Sequence, residues 1–300
     1  MTTAKPLTPT HRSPRSTSGA LLSDATRLGG VELTITDIDR SIGFYTDVIG
    51  LRVHERSAAR ASLGAGGEDL VTLHADPSAR APGRQAGLYH YALLLPSRVE
   101  LARAGRRIAE RRVPIDGASD HGTHEAIYLP DPDGIGIELA SDRPRELWPD
   151  TRGGNLFGHG PAPLDAPDLF ATIEGEPYAA SADAGLRIGH IHLHVGDLES
   201  ETGFYRDGLG FEITALLEHA AFVSAGGYHH HLAYNLWRGF GVGQAPSGGV
   251  VGLRHWTLVT DGEDERAAIA TRLDAIDAVV QERADGLFAR DGAGIGVLVR

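Results

Sequence analysis

The sequence predicts an α+β fold built from four βαβββ units, two in each half of the chain, and three observations carry that prediction. LGGVELTITDIDRSIGFYTDVIGL at residues 28–51 returns as IGHIHLHVGDLESETGFYRDGLGF at residues 188–211. GLYHYALLL at 87–95 returns as GLRHWTLVT at 252–260, and DGIGIEL at 133–139 returns as AGIGVLV at 293–299. Around these repeats the pattern keeps one order: two-residue alternation as in a strand, a helical stretch, then further strands.

Each unit can be justified in turn. Unit one, residues 28–77, opens with VELTI, which alternates as a half-buried strand does; Asp37 then caps a short helix carrying GFY. Unit two, residues 86–140, has the strand HYALLL, the helix VELARAGRRIAERR, the strand AIYL, the turn DPDG and the strand IGIEL. Pro132 and Gly134 specify that turn. Unit three, residues 187–237, repeats unit one with HIHLHV and the cap Asp197, and unit four, residues 250–300, repeats unit two. The predicted organisation is a disordered N-terminal arm (1–27), an N-terminal domain of two units (28–140), a linker (141–186) and a C-terminal domain of two units (187–300). LDAPDLFATIEG within the linker reads as a single helix.

Composition narrows the chemistry. A chain of 300 residues that is 41% hydrophobic and 23% charged can bury two cores. Its formal net charge of −12 disfavours nucleic acid and anionic membranes and leaves small molecules as the expected partners. Without cysteine there is no disulfide, thiolate nucleophile or zinc–cysteine site, so any metal must be held by His, Asp or Glu. Ser, Thr and Pro dominate the first 27 residues, which lack the apolar core of a secretory signal; a cytoplasmic protein is expected.

Histidines stand out. In GGYHHHLAYN, residues 226–235, a strand would send His229 and His231 to one face and His230 to the other, so the three cannot all grip one ion. His190, His192 and His194 share a strand face opposite Ile191, Leu193 and Val195, which suits polar lining as well as a ligand. Glu138, between Ile137 and Leu139, falls in a strand that ought to be buried, where an unpaired carboxylate is costly.

The pattern HIHLHVGD followed by GFY, with DPDGIGIEL, resembles the vicinal oxygen chelate superfamily, the glyoxalase, bleomycin resistance and extradiol dioxygenase group. Four such units are similar to extradiol ring-cleaving dioxygenases, and GLYHYALLLP with YHHH resembles the bacilli-type catechol 2,3-dioxygenases. The resemblance implies paired modules wrapped into two curved-sheet barrels, with a two-histidine, one-carboxylate triad holding iron(II), or alternatively manganese(II). At the ligand positions unit one has Gly30, unit two His90 and Glu138, unit three His190, and unit four His255 but Leu298. Neither half is complete by itself. Pairing units two and three gives the full triad His90, His190 and Glu138, and leaves Gly30 and Leu298 as remains of a second site.

Other family positions fall in the same two units. His230 is implied as the base beside the diol and dioxygen, and Tyr128, ten residues before Glu138, as the holder of a substrate oxygen. His121 in DHGTHEAIY is implied as the acid that steers ring opening, with His124 as its competitor and a substrate contact. Trp237, Tyr234, Phe240 and Trp256 are candidate walls for an aromatic ring. The implied substrates are a catechol and dioxygen, and the implied product is a yellow muconic semialdehyde. A homo-oligomer is left open by the resemblance. The rival readings are a glyoxalase-type metal isomerase or lyase, to which Leu298 gives no support, and a non-catalytic protein that binds drugs or quinones.

Overall fold

The computed structural model describes residues 22–148 and 160–300. Unit one comprises β1 (Arg27–Ile35), α1 (Ile38–Phe44), β2 (Arg52–Arg56), β3 (Arg60–Gly64) and β4 (Val71–Ala75). Unit two comprises β5 (Gly87–Leu94), α2 (Arg98–Glu110), β6 (Gly117–Asp120), β7 (His124–Pro130) and β8 (Gly136–Asp142). The linker holds β9 (Ala162–Pro163) and α3 (Ala166–Ala171), a helix within the segment where one was expected. In unit three follow β10 (Arg187–His194), α4 (Leu198–Thr202), β11 (Glu212–Leu216), β12 (Ala220–Ser224) and β13 (Leu232–Asn235). Unit four ends the chain with β14 (Gly252–Val259), α5 (Glu263–Ala275), β15 (Val280–Arg283), β16 (Gly286–Arg290) and β17 (Gly296–Val299).

The repeated caps form as the sequence dictates. Asp37 Oδ1 accepts the backbone N–H groups of Asp39 and Arg40, both at 3.0 Å, and Asp197 Oδ1 accepts those of Glu199 and Ser200 at 2.8 and 3.3 Å. These bonds satisfy N–H groups that a helix start leaves unpaired. Each short helix then widens into a π turn and stops at Gly50 or Gly210, whose φ values of 89° and 98° suit glycine.

Sheet topology decides which units meet. One sheet runs β15-β16-β17-β14-β1-β4-β3-β2 and the other β11-β12-β13-β10-β5-β8-β7-β6-β9. Unit four therefore joins unit one, and unit three joins unit two, within one chain. At both seams the strands are antiparallel with register shifts, irregularities that bend a sheet. Among the described residues neither sheet closes, since its outermost strands do not pair with each other, so the expected curved sheets are present as open sheets rather than closed barrels. A continuous buried cluster draws on both, including Leu33, Leu73, Tyr91, Ile191 and Trp256.

The expected disorder does not extend over residues 22–27. Leu22 is buried, its N–H donates to Gly210 O at 3.1 Å, and Arg27 starts β1. The rest of the expected arm, residues 1–21, lies outside the described residues. No helix among the described residues is long and apolar enough to cross a membrane.

Candidate metal centre

The seam between units two and three brings the candidate ligands together. His192 of β10 stands opposite His90 of β5, and Ala92 of β5 pairs with Glu138 of β8. Gly136 sits beside His90; a Cβ there would lie 2.3 Å from Tyr89 O, so only glycine lets β5 and β8 approach this closely.

His90, Glu138 and His190 are buried, and each offers a ligand atom within 4.8 Å of the others. His190 Nε2 lies 2.9 Å from Glu138 Oε2, in hydrogen-bond geometry. His90 Nε2 is 3.1 Å from the same oxygen and His124 Nε2 is 3.1 Å from Oε1. These two approaches are close but misaligned, and His90 Nε2 and Glu138 Oε1 are left as buried atoms without a hydrogen-bond partner. Two unpartnered atoms of ligand type, buried in a group whose ligand atoms lie this close together, fit a metal ion.

Protonation favours the same use. Burial by itself would raise the Glu138 carboxyl, but the close imidazoles of His190, His124 and His90 hold it well below the usual range. Burial pushes the His190 imidazole down, against the pull of Glu138. These two directions are at odds, since an ion pair would raise the histidine. The direction that stands is an ionised Glu138 beside a neutral His190, because burial forbids charging the imidazole, and this is the form in which both groups bind metal.

Around this cluster lie further polar groups. His121 Nε2 is 2.7 Å from Tyr128 Oη, and the His121 ring stacks on His124 with centroids 4.5 Å apart. Burial, reinforced by His124, lowers the His121 imidazole to about 4. Burial and the Glu138 charge push the Tyr128 hydroxyl up, so it keeps its proton. The His230 ring is 4.2 Å from the His190 ring, and burial keeps His230 well below the ordinary histidine range. Trp237, 57% exposed, packs at the mouth against Tyr89 and His192, both at 5.2 Å between ring centroids.

Several expectations need correction. Residues 229–231 are not in a strand; the chain turns through Gly226 and Gly227, with φ values of 60° and 64°, and β13 begins at Leu232. His229 therefore does not point away from His230. Its Nδ1 is 2.8 Å from His230 Nδ1, its Nε2 is 3.0 Å from Asp142 Oδ1, and its ring stacks on His124 at 4.8 Å. Only His231 turns aside, accepting the Ala225 N–H at 3.2 Å. Tyr234 is not a ring wall: it pairs in register with Leu193, on the apolar face, and its hydroxyl is 2.7 Å from Thr202 Oγ1. Trp256 is buried in the other sheet, and Phe240 is 81% exposed.

Sequence reading missed His229, Asp142 and Asn235. A signal existed for Asp142, because Glu138, Ala140 and Asp142 alternate onto one face of β8. Asn235 lies 2.9 Å from His194 and 2.8 Å from His192, holding both as lining.

Comparison with known proteins agrees with this fold. The Glyoxalase/Bleomycin resistance protein/Dioxygenase superfamily matches residues 27–139 and 187–285. The chain belongs to this superfamily. A Bacillus subtilis superfamily relative, catechol-2,3-dioxygenase, is 39% identical over 277 residues, 90% of this chain and 95% of the relative. Among solved structures, one from Bacillus subtilis superposes with a TM-score of 0.64 at 13% identity, covering 94% of this chain and 86% of that one. Glyoxalase I from Zea mays superposes with a TM-score of 0.55 at 18% identity, covering 92% of each chain. At those identities the two structures speak for the fold alone.

Proposed function

We propose that the protein is an extradiol ring-cleaving dioxygenase that opens a catechol next to its two hydroxyls, with iron(II) held by His90, His190 and Glu138. The observation that carries this reading is the convergence of that triad with Tyr128, His121 and His230 in one buried seam. Support comes also from the 39% identical catechol-2,3-dioxygenase. Iron(II) held by these three residues would supply Lewis acidity toward the diol and redox chemistry toward dioxygen.

The chain's own groups do the rest. His230 is neutral at physiological pH and takes the second hydroxyl proton of the diol. Tyr128 keeps its proton and donates a hydrogen bond to a substrate oxygen. The proton taken by His230 returns as the ring opens, with His121, a neutral imidazole in contact with the Tyr128 hydroxyl, relaying it, whereas its competitor His124 faces the Glu138 carboxylate. Tyr89, His192 and Trp237 wall the ring, and the buried seam excludes bulk water. Both oxygen atoms of dioxygen end in the semialdehyde product. The isomerase reading asks for a further carboxylate in unit four, where the sequence has Leu298, fully buried between Thr257 and Phe288 in its sheet.

Loaded with iron(II) under nitrogen and then exposed to air, the protein is expected to consume one dioxygen per catechol and turn the solution yellow. Glu138→Ala is expected to abolish this; activity that survives the substitution rules the triad out.

A further inference from the structure

The reaction explains one end of a cavity and leaves the other end without a role. A cavity of about 540 Å³ has His90 and Tyr128 on one wall and Arg238 on another, with a side formed by residues 250–253 of unit four. That is the size of pocket that holds drug-sized ligands, and an unsubstituted catechol would leave much of it unfilled.

Arg238 is half-buried, and Nη1 donates to Gln85 O at 2.8 Å. Among the described residues no carboxylate forms an ion pair with it, and no protein group accepts from its Nε or Nη2. Burial alone lowers its pKa, with no opposing charge. A guanidinium drawn partly out of water without a counter-anion is costly, and its free Nε–Nη2 edge matches the two oxygens of a carboxylate. Among the described residues lining the cavity, Asp116 is the one acid, and it is exposed, so solvent screens its charge.

A run of aromatic and imidazole rings leads from one end toward the other. Tyr89 contacts His90 at 4.8 Å, His194 at 5.0 Å and Trp237 at 5.2 Å between ring centroids, and Trp237 immediately precedes Arg238. A short alkyl chain leaving a catechol ring at His90 and Tyr128 would run along Tyr89 to reach the guanidinium. We propose that Arg238 reads a carboxylate on the substrate's side chain, so that the preferred substrates are catechols carrying an anionic alkyl extension. This rests on the dioxygenase reading above and adds a specificity residue to it.

The test compares 3-(3,4-dihydroxyphenyl)propionate, its neutral amide, dopamine and catechol on the iron-loaded wild type, Arg238→Gln and Arg238→Lys. The wild type is expected to favour the acid over the amide by about ten- to a hundredfold in kcat/KM, carried mainly in KM. In Arg238→Gln that ratio should fall to near one, and Arg238→Lys, with charge but no fork, should restore part of it. Equal rates for acid and amide in the wild type, a preference that persists in Arg238→Gln, or a preference for dopamine would each overturn the proposal. Oxygen uptake with catechol tests the underlying reaction separately. If no catechol is turned over, that reading fails, and anaerobic calorimetry on the same proteins decides Arg238: tighter binding of acid than amide, lost in Arg238→Gln, upholds it, and equal binding overturns it.

Discussion

His229 is held from three sides: by Asp142 at Nε2, by His230 at Nδ1 and by the His124 ring on its face. Burial lowers its imidazole to about 3 against the pull of Asp142, so it works as a neutral spacer that fixes its two neighbours. His229→Phe keeps the stacking surface and removes both polar contacts. The variant is expected to bind iron(II) like the wild type, read by chelator competition, while catechol turnover falls by roughly 10- to 100-fold, the usual effect of losing an outer hydrogen-bond partner. Lost iron binding would instead make His229 a ligand. At this scale the clustering of His90, Glu138 and His190 was legible because Glu138 has no cheap apolar explanation. His229 was not legible, because adjacent histidines read as an alternating strand until Gly226 and Gly227 are known to turn the chain.

Where α4 meets the turn between β16 and β17, two acids are buried together. Tyr205 Oη donates to Asp291 Oδ2 at 2.5 Å, Glu201 is 2% exposed, and a Cβ on Gly292 would lie 2.8 Å from Glu201 Oε1. The matching place in units one and two has the same tyrosine–aspartate contact, Tyr45 to Asp131 at 3.3 Å, but Ser41 in place of Glu201. Burial, with the neighbouring Asp291, raises Glu201 from 4.5 to about 9. Between those values the folded protein holds a proton that the unfolded chain has released, so stability falls as pH rises across that window. Wild-type protein is therefore expected to melt several degrees lower at pH 8.5 than at pH 5.5, and Glu201→Gln, neutral throughout, to flatten the slope and melt higher at pH 8.5. Parallel pH profiles for the two proteins would mean that Glu201 is ionised in the fold. The element order and the aspartate caps were readable from the repeat; this acid pair was not, because Glu201 reads as one more charge on an exposed helix.

For the molecule as a whole, duplication in sequence and pairing in space follow different divisions. Chain halves contain units one and two, and three and four, whereas the sheets join one to four and two to three. The missing ligands Gly30 and Leu298 hinted at this, since a complete triad exists only across the halves. The open sheets were not foreseeable, because closure depends on edge register that no repeat encodes. The topology has a consequence for folding: a half cut from the chain keeps two four-stranded half-sheets, and β5 or β10, β1 or β14, become edges with unpaired backbone groups. Residues 22–140 and 187–300 made separately are therefore expected to aggregate or melt without cooperativity. Refolded together they should form a one-to-one complex that binds iron(II), because both seams and the triad are rebuilt between them. A fragment of residues 22–140 that melts cooperatively as a monomer would show that a half is a folding domain without its seam.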